Sequence, residues 1–208
     1  MAYKDFTTHD LREKFGINGK QTTLFRRDEV VSIPPSEWLQ ETLAIGEDLK
    51  ARSEKAKSEI IVMPILFELK RRNPDFFIIH SGDRLNVDSQ KGLNGECDFL
   101  LARKTDSYDI DTPIISVVEA KKNDMELGVN QCAAQMYGAK LYNEKYGSPL
   151  DVIYGCVTTA DNWKFLKLED NLLITGKEVF YMNELDVILG IFQHIIDYYK
   201  AILEPVEA

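Results

Sequence analysis

Three short apolar runs follow one another between two stretches of helical periodicity, and that order restricts the chain to few folds. DFFIIHSGD, NGECDFLLAR and TPIISVVEAKK fall within residues 75–122, rich in Ile, Val, Leu and Phe and punctuated by Gly, Asn and Asp, the marks of strands separated by turns. Upstream, Ser36 stands as an N-cap with Glu37 in the first turn, and helical spacing continues to Asn73 and Pro74. Gly46 and Pro64 are expected to interrupt or bend that helix. Downstream, a second helix is expected over about Glu126 to Tyr146, ended by Gly147, Ser148 and Pro149. DVIYGCVTTADNWKFLKLE reads as two strands around a turn at Ala160 to Asn162. NELDVILGIFQHIIDYYKAIL reads as an amphipathic closing helix, with its apolar side a packing face inside the protein or between two subunits. An α/β architecture, with a central mixed sheet flanked by helices and a C-terminal helix, is the simplest way to bury these runs. Residues 1–36 mix polar, Gly and Pro residues and end in the break IPPSE, so they are expected to form an N-terminal arm or extension to a single domain over 37–208.

The composition is ordinary for a globular protein, 44% apolar and 28% charged, and 208 residues suffice for a sizeable core. The apolar runs are too short to cross a bilayer and MAYKDFTTHD lacks the layout of a signal peptide, so the expectation is a cytoplasmic protein without a membrane partner. Cys97, Cys132 and Cys156 are widely spaced with no CxxC pair, which argues against a disulfide framework or a zinc cluster. Neither a P-loop nor GxGxxG is present, so nucleotide hydrolysis by that route is not expected. The formal charge of -9 opposes a nucleic-acid partner, because binding phosphates normally requires gathered cations. Segregation would relieve the objection: Lys50, Arg52, Lys55 and Lys57 crowd one segment, Lys70, Arg71 and Arg72 follow, and Lys122 adjoins Lys121.

The second and third strand runs carry charge where a buried strand should be most apolar. Side chains alternate across a strand, so Ile115, Val117, Glu119 and Lys121 share one face, with Glu119 and Lys121 roughly 6 to 7 Å apart at their α-carbons. Asp98 leads into the neighbouring run. If the two strands are adjacent, Asp98 and Glu119 converge at one sheet end. Two carboxylates brought together in a partly buried place repel each other unless one takes a proton or a cation lies between them. A hard divalent ion with oxygen ligands resolves that conflict, and Lys121 would aim a positive charge at a phosphate or a water beside it. The plainer alternative is an ion-pair cluster with a purely structural role.

At these residues the chain resembles the PD-(D/E)xK nuclease superfamily, the restriction-endonuclease-like fold. Asp98 in GECDFLL matches the first acidic position, and Glu119 and Lys121 in VVEAKK match the acid and lysine two apart on the next strand. Cys97 stands where the eponymous proline would be. The resemblance implies a three-layer fold with the core order α-β-β-β-α-β, which agrees with the reading above from about Ser36 to Leu168. It further implies metal-dependent phosphodiester hydrolysis, as by a DNA endonuclease of restriction or repair type. Asp98, Glu119 and the carbonyl of Ala120 would hold Mg²⁺, with Mn²⁺ as a substitute. Glu59 in KSEIIVMPIL matches the acid that many members carry on the helix before the sheet; its alternative is the edge of an amphipathic face beside Lys55. Gln131 and Gln135, four apart in NQCAAQMYGAK, match glutamines that face the site in several branches, or are ordinary solvated polar residues. Nucleic acid, most simply DNA, is the implied partner, with a homodimer or a larger complex as possible settings. A catalytically inactive binding or assembly module on the same fold is the competing expectation.

Overall fold

A computed structural model describes residues 1–49, 52–107, 109–121 and 123–204. A 3₁₀ turn at Tyr3–Asp5 leads into helix α1 (Thr8–Phe15) and strand β1 (Asn18–Thr22). Helices α2 (Glu37–Asp48), α3 (Glu54–Lys57) and α4 (Met63–Arg72) follow, with a π-turn at Ser58–Val62 joining the last two. The strands β2 (Phe77–Ser81), β3 (Phe99–Arg103) and β4 (Ile114–Ala120) come next, and then the long helix α5 (Met125–Lys145). β5 (Val152–Thr158), β6 (Asn162–Glu169), β7 (Leu172–Gly176), β8 (Phe180–Tyr181) and helix α6 (Leu185–Leu203) complete the chain.

All eight strands belong to one sheet in the order β1-β7-β6-β5-β4-β3-β2, with β8 also paired to β6. β4 and β5 run parallel, as do β1 and β7, while the other pairs are antiparallel. The α/β class, the mixed sheet flanked by helices and the C-terminal helix match the expectation from sequence.

Two expectations are corrected. Gly46 does not interrupt its helix, which runs through it to Asp48. A Cβ at Gly46 would stand 2.4 Å from Ile60 Cγ2, so the glycine serves a close crossing of α2 over the π-turn. The helix ends at Asp48 rather than at Gly46, and the expected irregularity at Pro64 falls just before it, where the wider π-turn absorbs the missing amide and the crowding against the carbonyl of residue 60. The N-terminal segment, expected as an arm or extension, is packed into the main core: Tyr3, Phe6, Leu11, Ile17 and Phe25 are buried, and β1 forms a sheet edge on β7.

α5 is the helix that positions the candidate site. Its sheet-facing residues include the small Gly128, where a Cβ would stand 2.5 Å from Val157 Cγ1, and Cys132, so it lies close on β4 and β5. Gly155 on β5 completes the fit, since a Cβ there would come within 2.4 Å of Met136 Sδ and 2.9 Å of Cys132 Sγ. Gly155→Ala is therefore expected to destabilise the protein by about 1–3 kcal/mol through overpacking, measured by denaturant unfolding. At the far end of the helix, the Asn143 side chain accepts from the Ile114 N–H at 2.7 Å and donates to the Ile114 carbonyl at 2.8 Å. That paired clip fixes α5 to the start of β4. The other sheet face packs on α6, where Phe192 meets Trp163 and Phe165 edge to face. Trp163 and Phe165 are core residues.

Candidate active site at the carboxyl end of β4

Because β4 and β5 are parallel, their carboxyl ends lie together, and the amino end of α5 returns to the same place. Open α/β sheets commonly bind ligands at such ends. β3 is antiparallel to β4 with Phe99 opposite Val118, which brings the residue before β3, Asp98, beside the end of β4. Asp98 Oδ2 accepts the Ala120 N–H at 2.7 Å, replacing the ladder bond that β3 no longer supplies. The Lys121 N–H donates to the Thr158 carbonyl at 2.8 Å and holds the next residue against β5.

Glu119 points toward α5 and is fully buried. Its Oε2 accepts from Gln135 Nε2 at 2.9 Å, and its Oε1 lies 2.6 Å from Lys121 Nζ. The second contact is a short ion pair with the Lys121 ammonium. Lys121 Nζ also donates to Gln131 Oε1 at 2.9 Å. Asp98, Glu119, Lys121 and Gln131 are thus brought together, and Gln135 joins them from one helical turn further along α5.

The electrostatics follow from burial. Burial pushes the Glu119 carboxyl up to about 8, with the nearby Asp98 charge adding to the rise and Lys121 and Gln135 opposing it. Burial likewise raises Asp98, against the lowering effects of the Ala120 N–H and Lys121. For Lys121, burial alone would lower the ammonium's pKa, but the Glu119 carboxylate outweighs it and the net shift is upward. Two carboxylates and one ammonium leave one negative charge in excess, and a proton held between the acids removes it.

Glu59 is placed differently. Its side chain is 63% exposed and stands 3.8 Å from Lys55, so it sits on the solvent side of the helix. It lines a cavity of about 440 Å³ together with Glu54, Glu96 and Asp98. The adjoining cavity of about 320 Å³ is lined by Asp98, Glu119, Lys121, Gln131, Glu54 and Glu96, without Glu59. Glu54 and Glu96 were not singled out from sequence. The E-x-D spacing of Glu96 and Asp98 could have found the first of them; Glu54 was hidden because its helix was read as continuous with α2. His80 is buried with Nδ1 3.1 Å from Asp83 Oδ2 and does not line either cavity.

The basic residues expected to relieve the acidic balance mostly serve the fold. Lys57 bonds the Thr159 carbonyl and Asp161, Lys70 the Phe77 carbonyl, and Arg72 the Glu68 carboxylate, while Arg71 stacks over Trp38. Only Lys55 of those helical cations lines a cavity at Asp98. Lys50 and Lys122 lie outside the described residues.

Among the described residues, no group of three His, Cys, Asp or Glu side chains converges tightly enough to hold a metal. The fit to a divalent ion therefore rests on two carboxylates. Asp98 and Glu119 offer only oxygen, and they repel each other in a buried place. Mg²⁺ needs no more than one or two protein carboxylates, since it keeps several waters. The donor set fits such an ion. No helix among the described residues is long and apolar enough to cross a membrane. No protein-family model, no curated protein and no solved structure matches this chain.

Proposed function

We propose that the chain is a metal-dependent nuclease of the PD-(D/E)xK type, hydrolysing phosphodiester bonds in nucleic acid, with DNA as the first substrate to test. The observation that carries the reading is the convergence of Asp98 and Glu119 from two strands on a single buried point next to Lys121. An apolar core could fill that volume at lower cost, so mutually repelling carboxylates need a reason. Asp98, Glu119 and the Ala120 carbonyl would hold one Mg²⁺. When bound, the ion would supply an acidified water and a positive charge for the phosphate oxygens.

The protein's own groups have separable tasks. Asp98 and Glu119 bring negative charge to where a dication is wanted. Lys121, held by Glu119 and Gln131, presents its ammonium to a phosphate oxygen or to the attacking water. Gln135 fixes the Glu119 carboxylate plane from below. Glu54 and Glu96 make the walls acidic, so phosphate would approach this cleft only with cations present.

Cleavage of single-stranded, duplex and branched DNA in Mg²⁺ or Mn²⁺, and none in EDTA, is expected of the wild type. Asp98→Ala and Lys121→Ala are each expected to lower the rate by roughly a hundredfold or more. Undiminished cleavage in both variants would refute the assignment. The acidic walls favour one rival, a nuclease-fold module that binds a partner without turnover. That rival predicts no heat on titration with Mn²⁺ and no cleavage of any of the three substrates.

A further inference from the structure

The N-terminal turn reaches the candidate site and is held there by a buried anchor. Tyr3 is 1% exposed and its N–H donates to the Asn94 carbonyl at 3.1 Å. Its ring fills a slot left by two glycines: a Cβ at Gly138 would lie 2.2 Å from Tyr3 Oη, and one at Gly95 3.4 Å from Tyr3 Cδ2. The next residue, Lys4, is exposed, and the cavity that holds Asp98, Glu119, Lys121 and Gln131 is lined also by Ala2, Tyr3 and Lys4. Lys4 forms no ion pair with any described residue, whereas Lys121 is engaged by Glu119 and Gln131. An unpaired ammonium on the wall of an otherwise acidic cleft is available to an incoming anion.

We propose that Lys4 is a substrate-binding residue, contacting a backbone phosphate of the nucleic acid next to the one being cleaved, with Tyr3 as the anchor that places it. The inference rests on the nuclease reading above. It assigns the N-terminal turn to the substrate cleft and gives that cleft a cation separate from Lys121.

The test is steady-state cleavage of a fluorescein-labelled oligonucleotide in Mg²⁺ by the full chain, comparing Lys4→Glu, Lys4→Arg and Lys20→Glu. Lys20 is exposed on β1 and lines neither cavity, so its reversal makes the same change in net charge elsewhere. Lys4→Glu is expected to raise KM about tenfold with kcat held within about twofold, and to make log(kcat/KM) less steep in log salt by about one phosphate contact. Lys4→Arg should stay close to wild type, and all three variants should melt as the wild type does. A KM unchanged in Lys4→Glu, or raised equally in Lys20→Glu, overturns the proposal while leaving the nuclease reading intact. Failure of the wild type to cleave single-stranded, duplex or branched DNA overturns both.

Discussion

Glu119→Gln is expected to melt above the wild type at alkaline pH while losing cleavage by roughly a thousandfold or more. The two effects have one cause. Glu119 is fully buried next to Asp98, and burial keeps its proton up to about pH 8. Its folded value therefore lies above the ordinary 4.5. A group of that kind adds stability that is complete below its unfolded value and is lost as pH rises through the folded one. Across that window the folded protein binds more protons than the unfolded one, so stability falls with rising pH. Glutamine keeps the shape and the bond to Gln135 without ever acquiring the charge. Its advantage should be absent only below about pH 4.5, where Glu119 is neutral in both states, should grow across the window as the unfolded chain ionises, and should level off at about 1–3 kcal/mol above pH 8, or a few degrees in Tm. Melting curves from about pH 4 to 9 check this. A variant that melts below the wild type throughout would mean that Glu119 is a structural ion-pair partner of Lys121 and no more.

The second large effect concerns protons and metal together. A carboxyl that still holds its proton at neutral pH must release it before the oxygen can accept a cation, so uptake and deprotonation are linked. Titration of the wild type with Mn²⁺ at pH 7, repeated in buffers of different ionisation heat, is expected to show release of about one proton per ion. Cleavage at limiting Mg²⁺ should rise with pH up to about 8 and flatten beyond it, as the Glu119 proton is lost. Proton release of zero, with Mn²⁺ still bound, would place the ion away from Glu119.

Strands β2 to β6 were legible as short apolar runs bounded by turn residues, and alternation then assigned faces: the face given to Ile115, Val117, Glu119 and Lys121 is the face that meets Gln131 and Gln135. β7 and β8 were not read as strands. Charge at the end of an apolar run was the local signal for the site, and it needed no knowledge of tertiary contacts. What failed needed such knowledge. Tyr3, Phe6 and Leu11 follow no helix or strand period long enough to detect, yet each is buried by elements distant in sequence. β1 is polar throughout its length, as suits an exposed edge, and gave no strand pattern. Glu54 and Glu59 lie five residues apart in sequence, but the end of α2 at Asp48 and the π-turn after Lys57 shift the phase of the helix face. A wheel drawn with uniform 3.6 periodicity cannot follow that shift.

Asn143 clips the beginning of β4, and Gln131 and Gln135 hold Lys121 and Glu119 at its end, all from one helix. From Ile114 to Glu119 the strand covers about 17 Å, so α5 works as a caliper whose two jaws close on the same bar. A slide of the helix along the strand cannot loosen one jaw without loosening the other. The spacing between acid and ammonium is thereby set by the length of a rigid rod, and not by the conformation of any loop.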